Sequence, residues 1–240
     1  MPRWVWIWTA MAALAATTPA LASPATIGWI TIVDGESTLQ RGNERFSAVE
    51  GMRVRADDML TTGSAGQLLR IELDDGKAID LGPATQVALR PRAVDRDTRR
   101  NATAHVIEGW VKVATPIDGS SGAAIASSRL DALHVVGTTI VRVERDESWL
   151  FVETGALEAV PRQDGKSGAR QTLGEGDSFV VQGGGLGSVS WLMNAKLLSQ
   201  VPRAFIDTLP RRAQRFAGKG DEFERAAPRA AVRVAVKAPS

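Results

Sequence analysis

The sequence predicts an all-β fold, and three observations carry that expectation. Short runs of alternating apolar and polar residues recur along the chain, as in Gln67–Leu73 and Gln86–Arg90. Gly, Pro and Asp punctuate them, at Asp58, Gly63, Asp74-Asp75-Gly76 and Gly82-Pro83. One of these turns also fixes a self-consistent strand register. Short alternating strands separated by such residues are the sequence signature of a compact β domain.

That register can be derived. Strand side chains alternate, so Leu69, Ile71 and Leu73 share a face. A two-residue turn at Asp75-Gly76 would set Glu72 against Ile79. A three-residue turn at Asp74-Asp75-Gly76 sets Ile71 against Ile79 and Leu69 against Leu81. It also places Gly76 at the left-handed position of a type I turn with a G1 bulge. The second register is the predicted one, because a one-residue slip turns a whole face outward.

Residues 1–22 read as a secretory signal peptide. Arg3 supplies the positive start and Trp4 to Ala16 the apolar stretch. Thr17-Thr18-Pro19 breaks it, and Ala20-Leu21-Ala22 offers a small-x-small cleavage site. The apolar run falls short of the ~20 residues that span a bilayer. No later segment is apolar for long enough to cross. The expectation is an exported periplasmic protein with no transmembrane segment after cleavage.

Residues 23–187 are expected to form one β domain. Its strands are Ile27–Val33, Glu36–Gln40, Gln67–Leu73, Lys77–Leu81, Gln86–Arg90, His105–Glu108, Trp110–Ala114, Ala132–Val136, Ile140–Glu144, Trp149–Glu153, Ala156–Pro161, Arg170–Leu173 and Ser178–Gln182. Glu108-Gly109 and Thr154-Gly155 read as two further hairpin turns. The latter would set Val152 opposite Leu157 and Leu150 opposite Ala159. Pro91 to Thr103, dense in Arg and Asp, and Pro116 to Ser128, rich in Gly, Ser and Ala, read as long mobile loops. The run Gly183 to Gly187 closes the domain.

Residues 188–216 read as a helical extension. Trp191, Leu192, Ala195, Leu198 and Val201 recur at near-helical spacing, predicting a helix over Trp191–Gln200. Pro202 suits the first turn of a second short helix. There Phe205 and Leu209 form an i, i+4 pair, and Pro210 ends the helix. Residues 217–240 have the composition of a disordered basic tail.

Charge divides the chain. Ser23 to Ser190 holds 18 Lys and Arg against 23 Asp and Glu, while Trp191 to Ser240 holds 10 against 4. The plain reading of the basic end is a solvated tail. The sharper one is a tether to an anionic envelope polymer or lipid headgroups, through Arg211, Arg212 and Arg215. Nucleic acid is a poor fit, since basic residues are not interleaved with aromatics in one patch. With no Cys, the chain has no disulfides.

Catalytic chemistry is sparse. His105 and His134 are the two imidazoles, and both read as structural residues in strands. No His pair has metal-ligand spacing. The Ser residues within Gly63-Ser64-Ala65-Gly66 and Gly119-Ser120-Ser121-Gly122 lack the nucleophile-elbow pattern. In the pairs Asp57-Asp58 and Asp74-Asp75 adjacent side chains point to opposite faces, which makes neither an acid/base dyad. Asp75 suits its turn, and Asp58 a cap on the bend before Thr62-Gly63. Trp29, Trp110, Trp149 and Trp191 are able to stack on sugar rings, but strand tryptophans more often pack. The sequence thus predicts no enzyme, no cofactor and no metal site.

The order of these motifs resembles the FecR domain family, periplasmic sensory modules of bacterial iron-uptake regulators and of stand-alone envelope proteins. The matching stretches are Gly51 with Asp58-Met-Leu-Thr-Thr-Gly63, Leu73-Asp-Asp-Gly76, Leu81-Gly-Pro83 with Thr85 and Leu89, and Glu108-Gly-Trp-Val111. Val136-Gly-Thr138 with Val141, Val152-Glu-Thr-Gly155 and Leu173-Gly-Glu-Gly176 follow. The resemblance implies a twisted double-layered, solenoid-like β sandwich without catalytic residues or cofactor. It implies turn and packing roles for Gly63, Gly76, Gly109, Gly137, Thr138 and Gly155. Such regulators carry a sigma-binding region and a membrane helix ahead of this domain. Here only the signal peptide precedes it, and Val136 stands where the family has Arg. The expectation is therefore a signalling or protein-interaction module that is not itself an anti-sigma factor. The alternative is an envelope protein that binds peptidoglycan or polysaccharide through its basic end.

Overall fold

The computed structural model describes residues 25–65, 68–89, 102–116, 122–163, 166–182, 188–190, 199–206 and 209–216. Among them the chain forms, in order, β1 (Thr26–Asp34), β2 (Ser37–Arg41), β3 (Glu44–Ser47), β4 (Arg53–Arg55), β5 (Met59–Thr62), β6 (Leu68–Leu73), β7 (Ala78–Leu81) and β8 (Gln86–Leu89). There follow β9 (Ala104–Ala114), β10 (Ala123–Ala126), β11 (Leu130–Val143), β12 (Glu147–Gln163), β13 (Lys166–Ser167), β14 (Gln171–Gly174), β15 (Ser178–Gln182) and β16 (Ser188–Ser190). Two 3₁₀ turns, Arg203–Phe205 and Ala213–Arg215, complete it. The fold is all-β, as the sequence predicts.

The predicted hairpin is present in its predicted register. Leu69 pairs with Leu81 and Ile71 with Ile79. The Gly76 N–H donates to the Leu73 carbonyl at 3.0 Å, with Gly76 at φ +84°. Leu69, Ile71, Ile79 and Leu81 are fully buried in the main core.

Two pairing paths run through the molecule. One passes β4–β1–β6–β7, then the C-terminal half of β9, the C-terminal half of β11, the N-terminal half of β12, β15 and β16. The other passes β3–β2–β5–β8, then the N-terminal half of β9, β10, the N-terminal half of β11, the C-terminal half of β12, and β14. Their inward side chains share one core, with Ile30, Leu69 and Val113 from the first path and Leu60, Val87 and Val106 from the second. The long strands β9, β11 and β12 thus belong to both layers.

Each long strand changes layer at a left-handed glycine. Gly109, Gly137 and Gly155 have φ of +93°, +86° and +84°. Gly137 and Gly155 face each other across the β11–β12 pair. A Cβ on Gly155 would lie 2.1 Å from the Val136 carbonyl oxygen, and one on Gly137 would lie 2.4 Å from that of Thr154. Both the dihedral and the close backbone approach exclude a side chain. Beside them the Thr138 N–H donates to Thr154 Oγ1 at 3.1 Å.

This corrects two predicted turns. Neither Glu108-Gly109 nor Thr154-Gly155 is a hairpin tip. β9 and β12 run straight through them, and the β11–β12 turn lies at 144–146. Val152 therefore pairs with Thr139 in place of Leu157, and Leu150 with Val141 in place of Ala159. The physical reason is that X-Gly supplies a left-handed residue equally well to a two-residue turn and to a mid-strand twist. The predicted loop Pro116 to Ser128 holds a strand, β10, wedged parallel to β9 and antiparallel to β11. Short strands β3, β4 and β5 also lie outside the predicted set.

The predicted helix over Trp191–Gln200 lies mostly outside the described residues; Ser199 and Gln200 form a turn. The second helix is one 3₁₀ turn, Arg203–Phe205, with Pro202 immediately before it at ψ 132°. The signal peptide, the basic tail after Phe216 and most of the Arg-rich loop also lie outside the described residues.

Candidate functional site

The outward face of the first layer is where sequence and structure diverge most. Alternation places Arg70 and Glu72 of β6, Asp80 of β7 and Lys112 of β9 on this face, opposite the core-facing Leu69, Ile71, Ile79 and Val113. A strand face bearing four charges is expected to meet water. Yet Arg70, Glu72 and Asp80 are buried. What covers them is the chain's own C-terminal segment, in which residues 199–206 and 209–216 lie against the sheet.

The segment is held at separate points. The Phe205 side chain is fully buried in a second apolar cluster with Leu68, Trp110, Ile140 and Trp149. Its carbonyl accepts a hydrogen bond from Lys112 Nζ. Pro202 lies over Gly82, where a Cβ would come within 2.9 Å of the Pro202 ring. The Glu72 carboxylate accepts the Arg212 N–H at 2.8 Å and the Ala213 N–H at 2.9 Å, along with the Thr31 hydroxyl at 3.0 Å. Phe216 stacks on Trp29 at 6.0 Å between ring centres, while the Arg53 guanidinium lies 4.3 Å from the Trp29 ring.

The charges beneath are imperfectly matched. Arg70 Nε lies 3.5 Å from Asp80 Oδ1 and 3.8 Å from Glu72. Among the described residues neither Arg70 Nε nor Asp80 Oδ1 finds a hydrogen-bond partner. Burial raises the Asp80 carboxyl to about 6, against the pull of Arg70, Lys112 and Arg211 and with a further push from Glu72. Lys112 also pairs with Glu153 of β12 at 2.8 Å.

The predicted positions fare as follows. Gly76 sits in its turn, and Gly109, Gly137, Thr138 and Gly155 sit at the layer crossings. Gly63 donates its N–H to the Glu36 carbonyl and accepts from Ala84. Arg211 and Arg215 are exposed, but the backbone of Arg212 is docked on Glu72. Phe205 was read only as half of a helical pair with Leu209, and Arg70, Glu72, Asp80 and Lys112 were not singled out by the sequence. Their one local signal was charge at strand positions alternating with core residues.

Other candidate groups are occupied structurally. Asp58 is buried and takes a two-point ion pair from Arg41 at 2.8 and 2.7 Å. It also accepts the Arg55 N–H at 2.7 Å, so it closes the turn that precedes it and not the bend before Gly63. Asp74 pairs with Arg53, and Asp75 with Lys77. Trp110 and Trp149 pack edge to face in the second cluster, which leaves neither as a sugar platform. His134 differs from the expected packed histidine: its side chain is exposed, at φ +53° in the β11 bulge, 3.9 Å from Glu158. Among the described residues no group of three His, Cys, Asp or Glu side chains is placed to hold a metal ion. Nor is any described helix long and apolar enough to cross a membrane.

A cleft of about 740 Å³ opens beside the β11–β12 turn, lined among others by Glu108, Trp110, Arg142, Glu144 and Glu147. Its walls engage one another: Arg142 lies over the Trp110 ring and bonds Glu144 and Gln200.

No family model and no curated protein matches the chain. Two crystal structures of a "putative anti-sigma factor" from Parabacteroides distasonis, at 1.65 and 2.50 Å, align with TM-score 0.46 and 14% identity. The alignment covers 60% of this chain and 63 to 64% of theirs, under two thirds of their length. A likeness at that level carries no argument about function.

Proposed function

We propose that this protein is a non-enzymatic module of the bacterial cell envelope that acts in the periplasm by binding another protein. The observation that carries the reading is the pair of layers ending in short strands. β4 and β16 bound one layer and β3 and β14 the other, and among the described residues each pairs on one side only. Such edges accept an added strand through backbone hydrogen bonds without needing a pocket. The resemblance of the motif order to a sensory domain family supports the same reading. The test is photo-crosslinking in living cells from Glu44 on β3 and Thr172 on β14. A discrete crosslinked protein is expected from at least one position; none from either, with the variants folded and exported, overturns the reading.

The charge division favours a second reading, adhesion to an anionic envelope polymer. The docked segment carries much of the basic excess, and beyond Phe216 the chain has five cationic and three acidic residues. Sedimentation with peptidoglycan that falls as salt rises, and that is lost on removing the residues after Pro210, is its expected signature.

A further inference from the structure

We propose that the groove on the outward face of the first layer is an exchangeable peptide-recognition site, and that the chain's own segment lying there, residues 199–206 and 209–216, is its resident competitor. This deepens the protein-binding reading, on which it rests, by naming the surface and the chemistry of what it binds. The partner segment would carry an aromatic side chain and, seven residues later, a turn that aims backbone N–H groups at Glu72, with arginine beside it.

The way the segment is held supports exchange. The backbone hydrogen bonds of its two 3₁₀ turns close within the segment, as in Phe205 to Pro202 and Phe216 to Ala213. Its attachment to the sheet is the inserted Phe205 ring, with Pro202 over Gly82 and Phe216 on Trp29 at the flanks, the Gln200 side chain on Arg142, one carbonyl on Lys112, and backbone N–H groups on Glu72. Backbone donors and carbonyls are common to every peptide, so the contacts on Glu72 and Lys112 do not depend on this sequence. Specificity lies in the Phe205 slot, an aromatic anchor of the kind that dominates peptide and protein interfaces.

The floor of the groove supports recognition more than stability. A face covered permanently by its own chain is best made apolar, because buried charges lose their hydration. Here Arg70, Glu72 and Asp80 are buried beneath the segment, and Arg70 and Asp80 are incompletely bonded. Glu72, Asp80 and Glu153 outnumber Arg70 and Lys112, so the floor carries a net negative charge, and Glu72 and Asp80 attract Arg211 although Arg70 repels it. A basic peptide is therefore the complement.

The experiment adds a fluorescein-labelled synthetic peptide of residues 199–216 to the full chain and follows anisotropy. A covalently attached competitor acts at millimolar effective concentration, so the wild-type chain should bind the peptide weakly. The full-length Phe205→Ala chain, its own anchor removed, should bind at least tenfold tighter. A peptide carrying Phe205→Ala should lose that gain, and a chain carrying both Phe205→Ala and Glu72→Gln should bind at least tenfold more weakly than Phe205→Ala alone. If Phe205→Ala fails to fold, a chain with a protease site replacing Asn194-Ala195, after β16 and before the segment, serves. After cleavage the labelled peptide should displace the original segment. A folded Phe205→Ala chain that binds no peptide, or a cleaved chain that never exchanges, overturns the proposal. So does equal binding of wild-type and Phe205→Ala peptides. Crosslinks from Glu44 or Thr172 that persist in that event would leave the protein-binding reading standing.

Discussion

Replacing Asp80 by Asn should stabilise the protein at neutral pH, although it removes a charged partner of Arg70. The Asp80 carboxyl is raised from 3.8 to about 6, chiefly by burial, and attraction to Arg70, Lys112 and Arg211 does not fully offset that. Moving a titration midpoint by one pH unit corresponds to about 1.4 kcal/mol, so holding this group ionised in the fold costs about 3 kcal/mol. The folded value lies above the unfolded one. The fold therefore keeps a proton that the unfolded chain has released, and Asp80 lowers stability progressively as pH rises from about 4 to about 6. Asn keeps the shape without the charge. Its gain should be near zero at pH 4 and reach about 2 to 3 kcal/mol by pH 7.5. For a domain of this size that is a rise in Tm of roughly 4 to 10 °C. Urea unfolding of both proteins at intervals from pH 4 to 8 measures it. A variant less stable than wild type at pH 7.5, or a difference that does not change with pH, refutes the argument that desolvation outweighs the Arg70 pairing.

Other expectations follow from the same geometry. Gly155→Ala should cost about 3 kcal/mol or more, since strain at φ +84° is joined by a clash with the Val136 carbonyl, whereas Gly42→Ala, at φ +56° with open space around it, should cost about 1 kcal/mol; equal losses in thermal unfolding would refute a backbone role for the crossing. Asp58→Asn should destabilise by about 3 kcal/mol, because it leaves Arg41 facing a neutral group at a buried site, and denaturant midpoints decide this. Backbone amides near Thr154-Gly155 should exchange as slowly as their strand neighbours in hydrogen-exchange mass spectrometry, and rapid exchange there would restore the hairpin-tip assignment.

The Asp74-Asp75-Gly76 hairpin was legible because two independent signals agreed. Turn chemistry asked for Gly76, and apolar alternation asked for Ile71 opposite Ile79. At Gly109 and Gly155 the same turn chemistry was present, but alternation on either side fits a turn and a continuous strand equally. Only the partners of β9 and β12 on both sides of each glycine distinguish the two. The strand β10 hid for a related reason: Ala123–Ala126 is too short and too small in side-chain volume to stand out from a loop.

The candidate site was less legible than the fold. Phe205 looked like half of a helical pair with Leu209, and Arg211 to Arg215 like part of a solvated basic end. Nothing local to Arg70, Glu72, Asp80 or Lys112 says that another segment will lie on them. Their charge, if anything, argues for exposure.

By itself, the order of residues determined the class of fold, the register of one hairpin and the left-handed glycine, Gly76, at its turn. These follow from period-two alternation and from sterics within a few neighbouring residues, which local sequence encodes. Tertiary structure alone decided that the left-handed glycines at 109, 137 and 155 carry strands from one layer to the other, and that a charged strand face lies under residues from the other end of the chain. Both depend on contacts between segments far apart in sequence, as from Glu72 to Arg212, and such pairings arise only when the layers assemble and one surface is left for the last segment to cover.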